Sequence, residues 1–193
     1  MKVVIIAGAG EVGRGVAQAL IYERKNVILI DSDPDALKSA QSLECLLIAG
    51  DVMSRETLNH AGIQNAELLI MATDSDERNI LGCAFAKDHR QNMESVSGEM
   101  VTIARVNRMS VARQDSSEVF HRWSQVDHVA NADKEIVDEL TAGLISPHIL
   151  HTAPMGNDAY LSVSKITEGS ELLGGTLIDA AEKIDGLPIP VGI

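Results

Sequence analysis

Short apolar runs rich in β-branched residues alternate along the chain with stretches in which apolar positions recur every three or four residues. Val3-Val4-Ile5-Ile6-Ala7 is too short for a helix and lacks polar alternation, so it predicts a fully buried strand. Val12, Val16, Ala19 and Leu20 follow at helical spacing, which starts a helix inside the turn Gly8-Ala9-Gly10-Glu11-Val12-Gly13. Val27-Ile28-Leu29-Ile30 predicts a second strand, ending on Asp31. Further strands are expected at Leu46-Leu47-Ile48-Ala49, Leu68-Leu69-Ile70-Met71-Ala72, Val101-Thr102-Ile103-Ala104-Arg105-Val106 and a short run from Val126 to Ala130. Helix starts are signalled at Ser32-Asp33-Pro34, with Ala36, Leu37 and Ala40 inward, and at Ser54-Arg55-Glu56-Thr57, reaching Ala61. A longer helix runs from about Glu77 through Ile80, Leu81, Ala84 and Phe85 toward His89. The polar, aperiodic stretch from Gln91 to Met100 predicts a mobile loop. Strands alternating with helices define an α/β class with a doubly wound parallel sheet, whose ligands sit at the carboxyl ends of the strands.

Past the sixth strand the pattern changes. Asp133 caps one more predicted helix, to Ser146, whose Ile136, Val137, Leu140, Leu144 and Ile145 form an apolar stripe. A stripe exposed by a monomer favours aggregation, so this helix is expected to hold two subunits together. Leu150 to Asn157, with Pro154 and Gly156, reads as a linker, and Leu161, Val163 and Ile166 read as a strand. The tail from Ala159 to Ile193, about 35 residues, is too short for an independent core and reads as an α+β appendage or an incomplete second domain. The expected division is therefore a domain over 1–147, a linker over 148–158 and a partial subdomain over 159–193.

Composition narrows the function. A net charge of −12 over 193 residues argues against nucleic acid, whose phosphates demand clustered Lys and Arg. Aromatics make up 3% of the chain, so no base-stacking platform is visible. No apolar run approaches bilayer length and the N-terminus carries no signal pattern, so a soluble, cytoplasmic chain without membrane insertion is expected. Cys45 and Cys83, in apolar surroundings and without CxxC spacing, read as reduced core residues.

The candidate chemistry lies at the glycine turn. Strand, turn, helix and second strand make one βαβ unit of about thirty residues, with an acid roughly twenty residues beyond the turn, as a dinucleotide fingerprint requires. Gly8 permits the tight turn, Gly10 lets a phosphate approach the backbone, and Gly13 lets helix and strand pack closely. Free N–H groups at the helix start and the positive end of its dipole suit a pyrophosphate. Asp31 would accept from both ribose hydroxyls and repel a 2′-phosphate, favouring NAD over NADP.

The stretch Thr73-Asp74-Ser75-Asp76-Glu77-Arg78-Asn79, followed by Ile103-Ala104-Arg105, gives the pattern a wider reach. Together with Gly8 to Gly13, Asp31 and Ala49-Gly50-Asp51, these motifs fall in the order of the regulator-of-potassium-conductance family, which the chain resembles over 1–147. Ile166 to Gly174 resembles the opening of that family's C-terminal ligand-sensing subdomain. The resemblance implies a Rossmann-like fold and a cytoplasmic regulatory subunit of the TrkA and KtrA type. Such a subunit is peripheral to the inner face of the membrane and gates a potassium channel or transporter, with subunits pairing into a ring. Carried over by position, Gly8, Ala9, Gly10, Glu11, Val12 and Gly13 would hold the pyrophosphate, Asp31 the ribose, and Asp51 would stand beside them. Thr73 and Asp74 would meet the rest of the nucleotide and Arg105 its phosphates, which its planar fork suits. An ion pair of Arg105 with Asp74 or Asp76 is the alternative. Family members that prefer ATP tend to carry Arg where this chain has Glu11. Glu11 therefore favours NAD or NADH, while Arg14 keeps ATP and ADP open.

An NAD-dependent dehydrogenase is the competing class. It would need an acid–base pair and a substrate domain, and neither Tyr22 nor Tyr160 has a Lys four residues on. His148 and His151 could bind a metal but lack a third ligand, and the clusters Asp31/Asp33/Asp35 and Asp74/Asp76/Glu77 read first as caps and ribose contacts.

Overall fold

In the computed structural model, residues 2–133, 149–154 and 160–164 are described, with the turns at 168–169 and 173–174. Two units divide the chain, Met1–Lys134 and Glu135–Ile193.

Six strands build the first unit: β1 (Val3–Ala7), β2 (Val27–Asp31), β3 (Leu46–Ala49), β4 (Ala66–Met71), β5 (Val101–Arg105) and β6 (His128–Ala130). They form one sheet in the order β3-β2-β1-β4-β5-β6, and every pairing is parallel. The direction of winding reverses between β1 and β4, which opens the crevice where such sheets bind ligands. The period-two pleat divides the apolar residues of each strand between two cores. Ile5, Ile28, Ile30, Ile48, Leu69 and Met71 face one core, and Val4, Ile6, Val27, Leu29 and Ile70 face the other.

The helices are α1 (Glu11–Tyr22), α2 (Pro34–Ser39), α3 (Arg55–His60), α4 (Asp76–Gln91), α5 (Met109–Ala112) and α6 (Glu118–Ser124). Short polar side chains start several of them by accepting from backbone N–H groups left free in the first turn. Asp33 accepts from Asp35 at the head of α2, Ser54 from Thr57 at α3, Ser75 from Arg78 at α4, and Ser117 from Phe120 at α6. Ala17 and Leu20 of α1 pack on the second core with Leu37 of α2, whereas Leu58, Ile80, Cys83 and Phe120 pack on the first. Burial pushes the Cys83 thiol up to about 12, which keeps it protonated at neutral pH.

Several boundaries and faces differ from the expectation. On α1 the fully buried positions are Gly13 and Ala17, while Val12 is exposed, because the helix approaches the sheet through its smallest side chains. Leu81 on α4 is exposed as well. In the second unit, β7 (Ile149–Pro154) pairs antiparallel with β8 (Tyr160–Ser164), so a strand occupies most of the stretch read as a linker. Pro154 closes that strand at its last position, where the missing N–H costs least. The expected apolar helix from Asp133 to Ser146 and the tail beyond Gly174 lie outside the described residues.

The expected loop starts one residue later, after α4 ends at Gln91; from Asn92 to Met100 the chain is irregular and largely exposed, yet it is anchored by the buried guanidinium of Arg90. Arg90 Nη2 donates to the carbonyls of Ser97 and Gly98 at 3.0 and 2.9 Å, and Nε donates to that of Ile63 at 3.1 Å. The Ser97 N–H in turn donates to Gln64 O at 2.9 Å. Burial of the charge lowers the pKa of Arg90, and the surrounding carbonyls replace its lost water. Arg90→Met should therefore destabilise the unit by roughly 2–4 kcal/mol in urea denaturation, since several buried acceptors lose a donor. Exchange of the Ser97 amide should accelerate; unchanged stability and exchange would show that Arg90 does not tether the loop.

Candidate functional site

The carboxyl ends of β1, β2, β4 and β5 converge on the glycine turn. Gly8 has φ +107°, a region that L side chains rarely adopt, and a Cβ there would lie 2.7 Å from the Ala72 carbonyl oxygen and 2.9 Å from the Thr73 nitrogen. The turn thus packs directly on the backbone leaving β4. A Cβ on Gly13 would lie 1.8 Å from the Gly8 oxygen, so the head of α1 closes on the turn itself rather than on a neighbouring strand. Gly10, the N-cap of α1, has open space where a Cβ would stand, and no side chain caps the helix there. An N-terminus presenting bare N–H groups to open space is suited to an anion.

Asp31 ends β2 half-buried beside this turn. Its Oδ2 accepts from the Ala9 N–H at 2.6 Å and its Oδ1 from the Asp33 N–H at 2.9 Å. Each carboxylate oxygen retains a lone pair, so the group can brace the turn and still accept from hydroxyls. Glu11 and Val12 point outward, whereas Arg14 reaches back to donate to the Ala9 carbonyl at 2.6 Å. That places a positive charge beside the carboxylate-bearing first turn of α1.

Asp51 does not join the Asp31 carboxylate. Its Oδ1 accepts from the Met53 N–H at 2.8 Å and pairs with Arg78 at the head of α4. The Met53 bond chiefly holds its pKa down, against burial and with help from Arg78. Thr73 stands at the rim just past β4, and Asp74 beside it is exposed. Arg105, at the end of β5, donates from Nη1 to the Thr73 carbonyl at 3.3 Å and from Nη2 to Asn107 Oδ1 at 3.0 Å. The alternative ion pair is therefore not formed: Asp74 faces solvent, and Asp76 is claimed by other donors.

Asp76, only 4% exposed, accepts at Oδ1 from the Asn107 N–H at 2.7 Å and at Oδ2 from the Arg108 N–H and Nε at 3.0 and 3.2 Å. Burial alone would raise its pKa, but these donors outweigh it and hold the carboxyl below the usual range. Asp76 was expected among caps and ribose contacts, Asn79 was expected only as the last residue of a motif, and Asn107 and Arg108 carried no expectation. Asn79 is fully buried beneath Thr73, bonding to it and to the Arg105 carbonyl. The signal for Asn79 was its place three residues after Asp76, on what becomes the inward face of α4.

An all-parallel sheet in this order, with a glycine turn at its switch point and an acid closing β2, defines a Rossmann-like fold of the nucleotide-binding kind. The TrkA-N domain model matches residues 4–132, and the chain belongs to the TrkA-N domain family. It is similar to the Trk system potassium uptake protein TrkA of Haemophilus influenzae, with 27% identity over 179 residues, 92% of this chain and 37% of that protein. It is also similar to the Trk system potassium uptake protein trkA homolog 1 of Methanosarcina mazei, with 43% identity over 107 residues, 55% of this chain and 25% of that protein. The chain thus spans well under half the length of both relatives. Among solved structures, the GsuK channel bound to NAD superposes with a TM-score of 0.56 at 17% identity, covering 79% of this chain and 25% of that one. GsuK bound to ADP superposes with a TM-score of 0.56 at 16% identity, covering 76% and 35%. At such identities the likeness shows the fold alone. No helix among the described residues is long and apolar enough to cross a membrane.

The Asp76 cluster carries a pH signature. A depressed carboxyl contributes stability that is complete above the unfolded pKa, about 3.9, and is lost as pH falls through the lower folded value. Asp76→Asn should destabilise the unit at pH 7, and its deficit against the wild type should shrink as pH drops below about 4. Denaturation curves at several pH values measure this, and a constant deficit would show that the Asp76 charge is not what the donors hold.

Proposed function

We propose that this chain is a regulatory domain that binds NAD or NADH and gates a membrane potassium channel or transporter, without catalysing a reaction. The observation that carries the reading is the pairing of an uncapped, open head of α1 with the Asp31 carboxylate beside it. The first suits a pyrophosphate and the second suits a ribose diol. Gly8, Ala9, Gly10, Glu11, Val12 and Gly13 form the phosphate cradle in this reading. Thr73, Asp74 and Arg105 border the remainder of the nucleotide, with Asp51 as an outer support through Arg78.

Membership of the TrkA-N family supports the regulatory role, as does similarity to potassium uptake proteins. A fold shared with a channel bound to NAD supports the choice of nucleotide. The ADP-bound form of that channel favours ADP or ATP as a second reading, and Arg14 at the turn offers the charge for it. Ligands that contact the rim differently shift the domain between conformations by no more than their difference in affinity. A ring of paired subunits, peripheral to the inner face of the membrane, would pass that shift to the pore subunit. Nucleotide sensing belongs in this reading to the first segment of the expected division, 1–147.

Asp31→Ala should weaken NADH binding by roughly 1.5–3 kcal/mol, because a charged acceptor of two hydroxyl bonds is lost. Calorimetry on the folded variant measures it, and unchanged affinity would make the glycine turn structural only. Incubation with NADH and common aldehydes, ketones or hydroxy acids should leave the cofactor unconsumed. Sustained turnover would replace the regulator with the dehydrogenase reading.

A further inference from the structure

Beyond the rung that joins Met71 to Ala104, β4 and β5 stop pairing with each other. The backbone of β4 keeps to β1, since the Ala72 N–H donates to the Ala7 carbonyl at 2.7 Å. That of β5 keeps to β6, since the Val106 N–H donates to the Ala130 carbonyl at 2.9 Å. Between Thr73 and Arg105 the missing rungs are replaced by one side chain, Asn79 of α4, which is 0% exposed. Its Oδ1 accepts from the Thr73 N–H at 3.0 Å and the Thr73 hydroxyl at 2.6 Å. Its Nδ2 donates to the Thr73 carbonyl at 3.0 Å and the Arg105 carbonyl at 2.8 Å. Two lone pairs and two N–H groups are all a side-chain amide has, and all are used.

Only asparagine meets this set. Aspartate, of the same shape, cannot donate to the two carbonyls, and leucine would give up all four bonds. The consequence reaches the crevice through Arg105. The Thr73 carbonyl that Asn79 holds is also where Arg105 Nη1 rests, so the amide fixes the guanidinium's anchor point.

We infer that Asn79 is a positioning residue for the part of a dinucleotide that lies beyond the adenosine, an inference that rests on the function proposed above. Asp31 sits on the β2 side of the switch point, and Thr73 and Arg105 sit on the β4 side. A dinucleotide laid across the crevice therefore meets Asp31 with its adenosine and the Asn79-held rim with its other half. AMP reaches only Asp31 and the helix head.

Calorimetry with NADH and with AMP, on the wild type and on Asn79→Ala, tests this. The variant should lose about tenfold or more in NADH affinity while AMP affinity stays within about twofold, because only the rim on the β4 side loses its buried bonds. Equal losses for both ligands, or no loss for either, would reduce Asn79 to a purely structural role and overturn the inference alone. Wild-type protein that binds neither nucleotide would overturn the proposed function and this inference with it. Should Asn79→Ala fail to fold, Thr73→Val removes the hydroxyl bond to the amide together with the hydroxyl's two longer bonds to the Ser75 backbone. It should give the same selective loss in smaller measure, and equal effects on both ligands again overturn the proposal.

Discussion

The whole arrangement depends on a turn with no room for a side chain at Gly8 or at Gly13. The Gly8 oxygen lies where a Cβ of Gly13 would be, and the Ala72–Thr73 peptide lies where a Cβ of Gly8 would be. Helix α1, the end of β1 and the exit of β4 therefore meet at backbone contact distance. From this contact follow the burial of Gly13 and Ala17 on α1 and the exposed head of that helix beside Asp31. A bulkier turn would push α1 off the sheet and close the crevice that the strand order opens.

A second set of constraints runs along α4. Its inward face carries Ile80, Gly82, Cys83 and Ala86, as a helix on a sheet should, but also Asp76, Asn79 and Arg90. Each polar member collects backbone groups that the sheet leaves unpaired. Asp76 gathers the N–H groups after β5, Asn79 bridges β4 and β5, and Arg90 ties the opposite end of the helix to the loop before β5. Buried polar groups are tolerated because they are fully partnered, and they tie α4 to these loops.

The strands were readable because parallel strands buried on both faces are unbroken apolar runs, and the glycine turn was readable because its chemistry is local. What was hidden is non-local. Arg90 near a helix end reads as a solvated charge until carbonyls from Ile63, Ser97 and Gly98 surround it. Asn79 reads as one letter of a polar stretch until two strand ends meet around it. Arg105 has two acids within a helical turn of Thr73, yet Asp76 faces the loop of Asn107 and Arg108, which the chain order does not reveal. The strand Ile149–Pro154 was masked by its proline, and its identity depends on the partner strand Tyr160–Ser164.

The bond between Asp31 and the Ala9 N–H makes one carboxylate a member of two structures at once. Cofactor choice in this fold is ordinarily exchanged at that position by removing the acid to admit a 2′-phosphate. Here the exchange would also unfasten the glycine turn, because the Ala9 amide would lose its acceptor. Under the proposed function, nucleotide preference and turn rigidity are consequently not separable. A lineage or an engineer altering the first must supply a new acceptor for the Ala9 amide, so the route between cofactors runs through paired rather than single substitutions.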